Sequence, residues 1–143
     1  MIARGTALLE DALPRGAVGP FQIQAAIAAV HAEAVVTDDT DWVQITVLYR
    51  MLEHLAPTPT VALNLAVAIG MAHGAAAGLA ALAVLLARDD QQTNHRLHAA
   101  HAHLQERAGD PVAARTAYQR AAALTLSIPE QRYLNRRADA LRR

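Results

Sequence analysis

Apolar residues recur three and four positions apart along most of the chain, and no stretch alternates with period two for long enough to make a strand. Start and stop signals punctuate these runs. Gly19-Pro20, Thr58-Pro59 and Asp110-Pro111 each set a capping residue before a proline at the first helical position. There the missing N–H costs nothing and φ is already helical. Asp41 with Gln44, and Ser127 with Glu130, have capping-box spacing. Gly74 and Gly109 stand where helices should stop. The pattern predicts an all-α fold with helices near 5–13, 20–36, 41–56, 59–73, 75–88, 93–108, 111–125 and 128–141.

The predicted helices pair, and the pairs repeat. Tyr49, Ala83 and Tyr118 are spaced by 34 and then 35 residues, as are Leu52, Leu86 and Ala121, and Ile45, Leu79 and Ala114. A period near 34 with small and large residues at these offsets is that of tetratricopeptide (TPR) repeats, right-handed superhelices of antiparallel helix hairpins. The TPR second helix reads A-x-x-x-Y/F-x-x-A, here Ala114, Tyr118 and Ala121. Small residues let helices approach closely, and the large one fills the gap they leave. The first helices match less well. The reading is one TPR-like domain over residues 1–143, with repeats near 26–59, 60–93 and 95–128 and a capping helix over 128–143.

Composition narrows the class. The chain is 53% hydrophobic but 3% aromatic, roughly a quarter alanine, and without cysteine. This excludes a disordered tail, a disulfide scaffold and a collagen-like chain. Thirteen basic and thirteen acidic residues balance, so no net field attracts nucleic acid or anionic lipid. The N-terminal stretch carries charges inside what would be an apolar core and is no signal peptide; a cytoplasmic location is the default. Val61 to Ala87 holds no charge and is long enough to span a bilayer. It is mostly Ala and Gly, however, and broken at Gly70, His73 and Gly74, so two buried helices account for it better than a membrane span.

Candidate chemistry is sparse. His95, His98 and His101 lie three apart on one predicted helix, close enough for two to share a metal. But His101 and His103 point about 160° apart, no HExxH pattern appears, and no carboxylate follows before Glu106. His31 and Glu33 face different directions. Asp38-Asp39-Thr40-Asp41 lacks EF-hand spacing and reads as a solvated loop plus a cap. There is no phosphate-cradling glycine loop and no nucleophile elbow. The expectation is a non-catalytic protein with no cofactor and no metal.

Helical solenoids bind along the surface formed by the first helices of their pairs. In the predicted register Val61, Asn64, Ala68 and Met71 face that groove from the second repeat, and Arg96, Ala99 and His103 from the third. Such a groove suits a peptide or partner helix. Arg132, Arg136 and Arg137, with Arg142 and Arg143, make a basic C-terminal face that could touch DNA or an acidic protein, though a soluble outer face on a capping helix explains it more simply.

Three strings carry a family resemblance: GPFQIQAAIAAVHAEA at 19–34, DTDW at 39–42 and LAPTPTVALNLAVA at 55–68. They resemble the C-terminal extension of one group of extracytoplasmic-function (ECF) RNA polymerase sigma factors, in which a TPR-like domain follows the DNA- and polymerase-binding sigma regions. The resemblance continues through Leu97-His98-Ala99-Ala100, Gly109, the Ala114/Tyr118/Ala121 helix and Glu130-Gln131-Arg132-Tyr133-Leu134. It implies a cytoplasmic regulator of transcription initiation whose extension acts through protein contacts, with the sigma regions of its own polypeptide or with RNA polymerase. DNA would be touched only through sigma regions upstream of this segment, which would make the chain an excised fragment. The chain departs from the family pattern in two places. Leu65 stands in Asn64-Leu65-Ala66 where the family has Asn-Arg-Ala, and His101 and His103 stand where it has Arg and Asp. A polar binding cluster is thereby lost or rebuilt. The alternative is a free-standing TPR-like adaptor unrelated to transcription.

Overall fold

Side-chain caps set the helix boundaries. In the computed structural model, which describes residues 19–37 and 40–141, every described helix begins at or within a residue of its predicted start, except that the helix expected from 93 begins at His95. The helices are α1 (Pro20–Thr37), α2 (Trp42–Leu55), α3 (Pro59–His73), α4 (Ala75–Leu86), α5 (His95–Arg107), α6 (Pro111–Leu124) and α7 (Ile128–Ala140), with a 3₁₀ turn at Asp89–Gln91. No strand occurs among the described residues. The helix expected near 5–13 and the acidic pair Asp38-Asp39 lie outside them.

Each cap satisfies an amide that has no partner inside its helix. Asp41 accepts from Gln44 N at 3.0 Å, Thr58 from Val61 N at 3.2 Å, Asp110 from Ala113 N at 3.0 Å and Ser127 from Glu130 N at 3.3 Å. At α1, where glycine has no side chain to offer, Gln22 Oε1 reaches back to accept from Gly19 N at 3.0 Å. Asn94 caps α5 through Arg96 N and Leu97 N. Gly74 (φ +106°) and Gly109 (φ +84°) adopt left-handed backbone that a side chain would strain. Gly74 alone separates α3 from α4, dividing the long apolar run in two. No helix among the described residues is long and apolar enough to cross a membrane.

The chain forms two compact units, Met1–Ala72 and His73–Arg143, so the predicted repeat 60–93 straddles their boundary. In the first unit α1 packs on α2. Ile23, Ala26, Ile27 and Val30 of α1 meet Ile45, Leu48 and Leu52 of α2, joined by Val61 and Ala68 of α3. Burying each of these Leu or Ile side chains contributes about 1.5–3 kcal/mol. In the second unit α4 packs on α5, α5 on α6 and α6 on α7. Its core combines the buried Leu82, Leu85, Leu97 and Leu104 with an alanine-rich cluster in which Ala102, Ala114, Ala117, Ala121, Ala122 and Ala138 surround Tyr118 and Leu134. Side chains this small bring backbones together, so dispersion between close helices replaces interlocking of large residues.

Burial departs from the expected repeat positions at one helix. Ile45, Leu52, Ala114, Tyr118 and Ala121 are buried and Tyr49 packs against the core, but Ala83, their predicted counterpart, is exposed. The helix α4 buries Gly78, Leu82 and Leu85 instead. These buried positions lie one residue before the expected ones, 33 residues after Ile45, Tyr49 and Leu52 and 36 before Ala114, Tyr118 and Ala121. Burying Leu82 and Leu85 removes far more apolar surface from water than burying Ala83 would.

Candidate functional site

The predicted groove residues do not behave alike. Ala68 is fully buried in the core of the first unit and Val61 joins it, so neither lines an open surface. Asn64 and Met71 are half-buried on α3. In the second unit Arg96 is exposed, Ala99 packs against the alanine core, and His103 is half-buried. Leu65, one of the departures from the family pattern, is a buried apolar residue.

The basic C-terminal face also needs correcting. Arg132 and Arg136 are exposed on α7, but Arg137 turns inward and pairs with Glu106 of α5. Its guanidinium carbon lies 5.9 Å from the centroid of the Tyr118 ring, a cation–π distance. Tyr118 in turn donates to Glu106 Oε1 at 2.8 Å. One carboxylate thus ties α5, α6 and α7 together. Arg137 holds the Glu106 carboxyl below its ordinary range. Burial, reinforced by Glu106, pushes the Tyr118 hydroxyl up to about 12. His103 is pushed down, first by burial and then by Arg107. A further pair, His95 Nδ1 with Glu130 Oε1 at 2.8 Å, joins α5 to the start of α7. Among the described residues no three His, Asp or Glu side chains are grouped to hold a metal.

The most distinctive arrangement lies on the opposite side of α5 from Arg96 and His103. A cleft of about 420 Å³ opens between α5 and α6, lined by Leu86, Gln92, His98, His101, Ala113, Thr116, Ala117 and Arg120. Gln92 builds one wall by closing the end of α4: its amide donates to Leu86 O at 2.7 Å and Arg88 O at 2.8 Å. Its own backbone carbonyl lies 2.8 Å from His98 Nε2, on a ring only 5% exposed. A carbonyl can only accept, so the proton sits on Nε2. Arg120 Nε lies 3.1 Å from that same nitrogen, and Arg120 Nη2 reaches Gln92 O at 3.3 Å. One ring nitrogen cannot donate to the carbonyl and accept from the guanidinium together. With Nε2 protonated, Arg120 is held through the longer contact to Gln92 O, and its Nε–H faces another donor. His101 accepts from Gln105 Nε2 at 3.2 Å through Nε2, which puts its own proton on Nδ1. Burial, then the neighbouring His98, pushes His101 below the usual imidazole range, favouring this neutral form. The first unit has a hollow of about 530 Å³ along Arg50, Met51, His54 and Leu55, all on α2.

Sequence reasoning singled out the histidine run but not Gln92, Thr116 or Arg120. Arg120 lies 22 residues from His98, and only the α5–α6 hairpin brings them together.

No family model matches the chain, and no solved structure matches it. An uncharacterized protein of Rhizobium meliloti (strain 1021) is 39% identical over 141 residues, 99% of this chain and 33% of that protein. The chain spans about a third of the length of the curated relative it matches.

Proposed function

We propose that this chain is a non-catalytic, TPR-like protein-interaction domain of an ECF sigma factor, acting in transcription initiation in the cytoplasm. The observation that carries the TPR-like part is the α5–α6 hairpin. Ala114, Tyr118 and Ala121 are all buried there, with Gly109 making the left-handed turn between the helices. This is the small–large–small packing that a TPR second helix requires. The strings at 19–34 and 55–68 support the sigma-factor part. The long relative is consistent with a module carried by a larger polypeptide, since two thirds of it lies outside the match. In this reading the neighbouring sigma regions read the promoter, while the helical domain contacts them or the polymerase and adjusts their activity.

The test uses the complete gene product. Removing residues 1–143 is expected to change promoter-dependent transcription severalfold in a reconstituted assay with RNA polymerase. A gene without upstream sigma regions, or a deletion with no effect on transcription, overturns the reading and leaves the free-standing adaptor.

A further inference from the structure

We propose that the α5–α6 cleft binds a carboxylate side chain of an acidic peptide segment, with Arg120 as its cationic contact. The choice of a peptide over a free small acid rests on the protein-interaction reading above; the cleft chemistry does not.

Charge supplies the first argument. Among the described residues, the lining includes one permanent cation, Arg120, and no Asp or Glu. The guanidinium offers five N–H donors. Two approach protein atoms, and one of these meets a nitrogen that already carries a proton. A carboxylate is the ligand whose planar pair of oxygens fits such a fork. The second argument is placement. His98 is buried beneath the guanidinium, and His101 adds a neutral N–H donor to a ring in the same lining. Thr116 Oγ1 donates to Val112 O at 3.1 Å, so toward the cleft it can only accept, as from a peptide N–H. Leu86, Ala113 and Ala117 supply an apolar floor for an aliphatic neighbour of the acid. The cleft volume falls in the range of small-ligand sites, larger than a carboxylate alone needs. Phosphate-rich nucleic acid is a poorer fit, since one arginine gives little counterion release and the whole chain carries no net charge.

The probe is a short fluorescein-labelled peptide alternating Glu and Leu, compared by anisotropy with its Gln and Leu counterpart. On the 143-residue chain, the Glu peptide is expected to bind at least about tenfold more tightly, the ratio that one charged hydrogen-bond pair supplies. Arg120→Gln should abolish that preference. Thr116→Glu should abolish it too while strengthening the helix, because a carboxylate four residues before Arg120 pairs with it internally. Arg107→Gln removes the same charge from an exposed site outside the cleft and should leave the preference intact. Free glutarate competing as well as the unlabelled Glu peptide, at equal carboxylate concentration, would overturn the choice of a peptide. Equal binding of the two peptides, no change in Arg120→Gln, or equal loss in Arg107→Gln would overturn the site. None of these results bears on the transcription assay, so the two readings fail separately.

Discussion

The two units solve the same problem with different materials. The first buries branched and long aliphatic residues, with Ile23, Ile45, Leu48 and Leu52 at 1% exposure or less. The second also buries Leu82, Leu97 and Leu104, but beside them it packs a bed of alanines around Tyr118 and adds a carboxylate network that links three helices. In the first, stability should depend on filling volume. Around the alanine bed of the second it should depend on keeping volume out and keeping polar partners matched.

The largest expected effect is in the first unit. Leu48→Ala leaves a cavity between α1 and α2 and should cost about 2–5 kcal/mol. Denaturant titration would measure the loss, and amide exchange would locate it in α1 and α2. The opposite change belongs to the second unit. Ala121, fully buried in α6, cannot accept three more carbons unless helices move apart, so Ala121→Leu should cost about 1–3 kcal/mol. If Ala121→Leu were neutral, the close-packing account of this unit would fail.

The carboxylate network gives a contrast in pH dependence. Glu106 is held below its unfolded value by Arg137, and His103 and His101 are held below theirs mainly by burial. Groups with depressed folded pKa values stabilise fully above their unfolded values and lose that contribution as pH falls through the folded ones. Amides of α5, α6 and α7 should therefore lose protection as pH drops below about 6.5, the ordinary imidazole value, and further below about 4.5, the ordinary Glu value. Tyr118 works in the other direction. Its raised hydroxyl contributes fully below its ordinary value near 10, and the contribution is lost as pH rises toward about 12. Tyr118→Phe should flatten that alkaline slope and cost about 1 kcal/mol at neutral pH through the lost bond to Glu106. An unchanged slope would show that titration of this hydroxyl, raised first by burial and then by Glu106, does not couple to folding.

How far the sequence foretold this molecule follows from how local each feature is. Helix starts were legible because Asp41, Asp110 and Ser127 bond amides within three residues of themselves. The pairing of Glu106 with Tyr118 and Arg137 was not, since its partners lie 12 and 31 residues away at no helical period. The same holds for Arg120, which meets His98 across 22 residues. TPR geometry favours first-helix faces and so points to the Arg96–His103 side of α5, whereas the cleft with unmatched charge opens on the His98–His101 side. The sequence puts Ala68 on a surface because α3 is apolar around most of its circumference, so periodicity does not distinguish its inner face.

The helix α4 sharpens that last point with the smallest predicted effect. Its sequence, AAAGLAALAVLL, is apolar at every position, so no polar face marks which residues turn outward. A repeat period of 34 and 35 put Ala83 inside; burial of Leu82 and Leu85 puts it outside. Ala83→Glu should then change stability by no more than about 0.5 kcal/mol, as exposed substitutions do. Glutamate is also a good helix former, so propensity offers no confounding penalty. Under the 34-residue register the same change would bury an unpaired carboxylate and cost several kcal/mol. Thermal unfolding of this single variant separates the two registers. A near-silent result means that leucine burial, and not strict repeat length, sets how this helix is rotated.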